Sequence, residues 1–252
     1  MHRRFAMQAM HAASVFVLAL LFAAPAFAQS DEDKLVADAR TTISNFMRDP
    51  DQTWIHDNIG TAKAVLIAPQ IVKAGFIFGG SGGRAVLVAR NGRTWVGPSF
   101  YNLATASVGF QAGLEVSEAL IVVMTDKGLN SLMASSFKIG GDASIAAGPV
   151  GAGAKTTVTA DLVSFTRSKG IYGGLNLDGT VVNVNSDWNN AYYGKTVLPP
   201  DILITRKVRS NKGSALLNEI AKATGVAKPT NVNKSANASK PTNVNKAANT
   251  SK

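Results

Sequence analysis

From Ala74 onward the apolar residues stop recurring at helical spacing and begin to alternate, and glycines interrupt nearly every alternating run. A period of two puts successive side chains on opposite faces of a strand, so this pattern commits most of the chain to β-sheet. AVLVAR (85–90), then Asn91 and Gly92, then RTWVG (93–97) predicts a hairpin with a type I′ turn, because Asn-Gly supplies the positive φ such a turn needs. GIYGGLNL (170–177), Asp178 and Gly179, and TVVNV (180–184) predict a second hairpin of the same kind. ALIVVM (119–124) reads as a buried strand followed by a short helix over 127–135, and 156–166 as a further alternating strand.

Helices are expected at the ends. Ser30 caps a run that opens with Asp31, Glu32 and Asp33, which suits the helix dipole, and Val36, Ala39, Ile43, Phe46 and Met47 then share one face. A second helical piece is predicted from about Thr53 through Ala68, and a closing helix over 211–223. The expected fold class is α+β: a glycine-rich, mainly antiparallel twisted sheet with N-terminal, one internal and C-terminal helices. About 200 residues are enough to bury a real core.

The densest glycine stretch, GFIFGGSGGR (75–84), invites three chemical readings. GGSGG (79–83) fits G-x-S-x-G, but a nucleophile elbow requires a helix after the serine, and AVLV predicts a strand. Past residue 28 there is one histidine, His56, to complete any triad. A dinucleotide loop must likewise open a helix, and no Gly-Lys-Ser/Thr sequence is present for a P-loop. With no cysteine and no D-x-D-x-D spacing, a metal site is not expected either. No catalytic residue, metal or cofactor is therefore expected. Glycine recurring in strand after strand points to architecture: bends, bulges or close backbone approach. An exposed backbone beside Arg84 is the one place in this stretch suited to an anion.

The termini carry different information. MHRR, the apolar run over 15–24 and the A-x-A sequence at 26–28 have the form of a secretory signal peptide, expected to be cleaved after Ala28. The run is about half the ~20 residues that span a bilayer, so no transmembrane span is expected in the mature chain. The expected location is periplasmic or secreted. At the other end, KPTNVNKSANAS and KPTNVNKAANTS repeat with a period of twelve, a composition unable to offset ordering entropy, so 227–252 is expected to be disordered. Of the formal charge of +10, two units belong to Arg3 and Arg4 and five to tail lysines, leaving about +3 on the body. A nucleic-acid partner, which needs basic residues clustered on the folded surface, is not expected.

Five blocks, AKAVLIAPQIVKAGFIFGGSGGRAVLVAR, TWVGPSF, SVGFQAGLEVSEALIVVM, KIGGDASIAAGPVG and SKGIYGGLNLDG, occur in an order and spacing that resembles the SYLF, or Ysc84-type, domain, in particular its exported bacterial members. The organisation then becomes a signal peptide over 1–28, an N-terminal helical segment over 29–56, a SYLF-like domain over 57–226 and the tail. The resemblance implies a non-enzymatic module that binds acidic phospholipids, including phosphoinositides, peripherally at the cell envelope. It also implies protein partners, since fungal members bind actin, and so an alternative role as a structural or protein-interaction envelope domain. For a lipid or other anionic surface the candidate residues are Lys63, Lys73, Arg84, Arg90, Arg93, Arg167, Lys169, Arg206, Lys207 and Arg209, with the arginine fork best matched to phosphate oxygens. Trp95, Phe100, Tyr101, Trp188, Tyr192 and Tyr193 are candidates for either the core or an interface.

Overall fold

The computed structural model describes residues 29–226 except 76–77, 109–112, 152–157, 169–170 and 173–176. The expected signal peptide, the repeat tail and Lys169 lie outside the described residues.

Helix α1 spans Asp31–Arg48, with the Ser30 side chain accepting from the Asp33 amide at 3.2 Å and the acidic first turn in place. Val36, Ala39, Ile43 and Phe46 are buried, as their spacing predicts. Helix α2 is short, Thr53–Asn58, and passes through a 3₁₀ turn (Ile59–Thr61) into strand β1, Ala64–Gly75. The helix expected through Ala68 therefore stops ten residues early. The error has a physical cause: Ala64 to Ala68 are buried on both faces of a central strand, so the run lacks the alternation that would mark it as β. Pro69 falls where the register with both neighbouring strands shifts, a bulge that accommodates a residue with no amide to donate.

Strand β2 (Phe78–Asn91) and strand β3 (Thr94–Val108) form the first predicted hairpin. Asn91 pairs with Thr94, so the turn residues are Gly92 and Arg93, one position later than expected. Only Gly92 has a positive φ, 61°, which matches the first central residue of a II′ turn and excludes I′. Strand β4 (Gly113–Val123) leads to helix α3 (Asp126–Met133), as expected. Short strands β5 (Ser136–Lys138) and β6 (Ile145–Ala147) follow, then β7 (Leu162–Ser168), which begins later than the strand predicted over 156–166.

The second predicted hairpin is seen only in part: residues 170 and 173–176 of its first strand lie outside the described residues, while Asp178 and Gly179 do form its turn, the Thr180 amide donating to the Leu177 carbonyl at 3.1 Å. Strand β8 (Ile171–Tyr172) pairs with β7, whereas β9 (Val181–Val184) inserts between β3 and β5. A turn dipeptide signals a reversal of the chain, and the β9 partners were instead chosen by long-range burial of Val182. The sheet runs β5-β9-β3-β2-β1-β4-β7-β6, antiparallel except for β6 with β7. Three helices complete the chain: α4 (Ser186–Tyr193), α5 (Pro199–Leu203) and α6 (Ser214–Ala223). The last is the expected closing helix.

The centre of the sheet is buried on both faces. One face packs against α1, α2, α4 and α6 through Phe46, Trp54, Tyr192 and Leu216; the other packs against α3 and α5 through Leu132 and Leu203. Trp95, Phe100, Tyr101 and Tyr192 lie in these two cores, which decides their role.

Asp161 pins α3 to the sheet. It accepts from Thr125 Oγ1 at 2.6 Å, from the Ser144 amide at 3.0 Å and from Ser144 Oγ at 2.8 Å, with Lys127 Nζ at 3.4 Å. The Thr125 hydroxyl, then the Ser144 donors, hold its carboxyl well below the ordinary carboxylate range. A carboxylate with a lowered folded-state pKa contributes stability that is present above its unfolded value near 4 and disappears as pH falls through its folded one. Asp161→Ala is therefore expected to destabilise the protein by about 2 kcal/mol at pH 7 and by progressively less below pH ~4. Thermal melts of both proteins from neutral to acid pH would check this; a constant gap between them would contradict it.

Candidate binding surface

Among the described residues, the candidate basic side chains do not all converge on one face. Lys63 bonds Asp126 at 3.1 Å, Lys207 bonds Asp201 at 2.7 Å, and Arg167 forms a close ion pair with Glu118. Arg90 is turned inward: its Nε donates to the Ala62 carbonyl at 3.0 Å and its terminal nitrogen to the Gly60 carbonyl at 2.6 Å, with the guanidinium 5.1 Å from the Trp95 ring centre. Burial lowers its pKa. Lys73 and Arg84 lie on opposite faces of the sheet, because Lys73 is opposite Ser81 in the register and Arg84 follows at an odd offset from it. Arg84 stacks on Trp188 with 4.5 Å between guanidinium and ring centre.

One end of the sheet does gather several of them. Asn91, at the β2–β3 turn, donates its side-chain amide to the Ile204 carbonyl at 2.8 Å, which brings the Arg93 turn against the loop that follows α5. That loop carries Arg206, Lys207 and Arg209. Arg206 adopts a left-handed backbone, φ 56°, uncommon for a residue with a Cβ, and its Nε is buried without a hydrogen-bond partner. Arg93 and Arg209 are exposed, and neither makes an ion pair among the described residues.

Two apolar side chains sit in the same region and were not anticipated. Leu198 is 58% exposed and Ile204 45% exposed, one at each end of α5. Pro199 and Pro200 start that helix, and Asp201 accepts from the Leu198 amide at 3.2 Å, so Leu198 is held at the cap position. The Pro-Pro pair after a leucine was the available sequence signal. Apolar anchors beside unpaired arginines are the composition of a macromolecular contact surface.

The serine reading of the glycine stretch has no geometric support. Ser81 sits within β2, opposite Lys73 on one side and Thr105 on the other, and not on a strand-to-helix turn. His56 is exposed on α2.

Residues 104–224 match the Ysc84 family, described as Las17-binding protein actin regulator. This part of the chain is similar to Ysc84-type domains. It starts inside β3 and takes in both the β9 insertion and the Leu198–Arg209 region. Among curated relatives, LAS seventeen-binding protein 3 of Saccharomyces cerevisiae is 30% identical over 164 residues, which is 62% of this chain and 36% of that protein. Human SH3 domain-containing YSC84-like protein 1 is 29% identical over 161 residues, 61% of this chain and 46% of that one. Protein YSC84 of the same yeast is 28% identical over 144 residues, covering 54% and 31%. The chain thus spans between about a third and a half of the length of these Ysc84-type relatives.

Proposed function

We propose that this chain is a non-enzymatic protein-interaction module, exported by its first 28 residues, that holds a partner through the end of the sheet carrying Arg93, Leu198, Ile204 and Arg209. The observation that carries this reading is the pair of exposed aliphatic side chains beside arginines that make no ion pair among the described residues. Such a surface fits a partner with an acidic rim around an apolar patch. The names of the relatives, Las17-binding and actin-regulating, support a protein partner over a small molecule.

The same patch favours a second reading. Aliphatic side chains set among arginines can enter an anionic lipid interface, and five tail lysines would add attraction of about 1 kcal/mol each close to such a leaflet. Co-sedimentation with actin filaments and, separately, with anionic and neutral vesicles separates the two. Pelleting with filaments, weakened about tenfold by Arg93→Glu with Arg209→Glu, supports the protein reading. Pelleting with anionic vesicles alone, lost at high salt, transfers the surface to lipid. If neither probe pellets the protein, this end of the sheet is not the contact surface for either class.

A further inference from the structure

The four long strands outrun their covering. Among the described residues, strand β9 pairs with β3 only as far as Ala104 and β7 pairs with β4 only as far as Ser117, so β3, β2, β1 and β4 continue together beyond both neighbours. In this outer half the two faces differ. One face carries Lys73, Ser81, Thr105 and Glu115, all half-buried. The other is the face that α1 covers further in, and here it carries no charged residue beyond Arg84. Val72 is 37% exposed, Val116 40% and Leu114 69%, and Ala74, Ala104 and Ala106 are exposed with them. Strict alternation, with its apolar side left bare, marks a face shaped to be covered.

Its relief says by what. Over the stretch inward of the Phe78–Val108 pair that ends β2 and β3, the outward residues are Val72, Ala74, Val116 and Leu114 on β1 and β4, and Gly82, Gly80, Ala104 and Ala106 on β2 and β3. Half of the face is therefore raised and half recessed, divided along the line between β1 and β2. A two-fold axis through that line sets the raised half of one copy on the recessed half of another. The rim has both signs, as a surface that meets itself requires: the Lys34–Asp38 ion pair and Asp31 on α1, with Arg84 on β2, line one groove of about 560 Å³ that opens onto the face.

We infer that the outer half of this sheet is a self-association surface, on which two copies of the chain pack face to face about a two-fold axis between β1 and β2. Four strands by about five residues give a projected area of about 300 Å² per copy, against about 800 Å² for a stable interface. The sheet is thus the apolar centre, the first turn of α1 and Trp188 are the rim, and pairing is expected to be weak and reversible.

The test uses protein expressed from the full coding sequence and recovered as the cell processes it. Sedimentation equilibrium across the micromolar range is expected to show monomers and dimers. A Cβ on Gly82 would lie 3.5 Å from its nearest neighbour, the Leu103 carbonyl oxygen, an ordinary contact. Gly82→Leu therefore fills the recess without disturbing the fold, and is expected to be monomeric with an unchanged melting temperature. Because the chain has no cysteine, mixed Val72→Cys and Gly82→Cys copies should oxidise to a cross-linked pair more readily than either variant alone. A wild-type monomer throughout, a Gly82→Leu variant that dimerises as well as wild type, species larger than dimers, or no preference for the mixed cross-link would each overturn the inference.

Discussion

Replacing Arg167 by alanine should lower the free energy of unfolding by about 3 kcal/mol, the largest single effect expected from any charged residue here. Arg167 on β7 and Glu118 on β4 are cross-strand partners that form a close ion pair on the face beneath α1. Glu118 also accepts from the buried Thr42 hydroxyl at 2.8 Å, and the Arg167 guanidinium lies 6.0 Å from the Phe46 ring centre. The pair therefore joins helix to sheet, and removing one charge leaves the other in a largely dry site. Denaturant unfolding of Arg167→Ala, Glu118→Gln and the double variant would measure the coupling. A double variant destabilised by the full sum of the two single effects would show that the residues act separately. A residue so engaged is unavailable to an outside anion, and the sequence placed it among the binding candidates because its partner lies on a distant strand.

Gly83→Ala should cost a similar amount, about 3 kcal/mol, and its neighbour Gly82→Ala almost nothing. A Cβ built on Gly83 would stand 2.4 Å from the Gln70 carbonyl oxygen and 3.3 Å from the Ile71 Cα, both backbone atoms fixed in β1 just past the bulge at Pro69. Neither can withdraw without breaking strand pairing. Thermal melts of the two alanine variants provide the comparison, and equal melting temperatures would refute the assignment of Gly83 to close backbone approach. The glycine stretch is then explained without chemistry: one position is obligatory for packing, and others keep the outer face low.

What the sequence made legible follows from how local each signal is. Helix α1, α3, α6 and the β2–β3 hairpin announced themselves through caps, spacing and a turn glycine, all contained in a few residues. Strand β1 did not, because burial on both faces erased its alternation. Strand β9 misled for the opposite reason: its own pattern was correct, but its partners lie far away in the chain. The candidate surface was harder still. Sequence ranks arginines by type, whereas availability depends on whether Glu118, Asp201 or a carbonyl such as that of Ala62 lies within reach. Ile204 was invisible because nothing local distinguishes an exposed aliphatic residue from a buried one, and for Leu198 the one local signal, the Pro-Pro pair after it, marks a helix start and says nothing of exposure.

The insertion of β9 between β3 and β5 also orders events in time. Strands β1 to β4 are complete well before Val181–Val184 has been synthesised, so β3 waits with one edge unpaired through the making of α3, β5, β6 and β7. An open edge on a long, partly apolar strand is the segment of a nascent chain most prone to pair with the wrong neighbour. A chain truncated before Val181 would retain that edge permanently, and with it a route to aggregation that the finished fold closes with four residues.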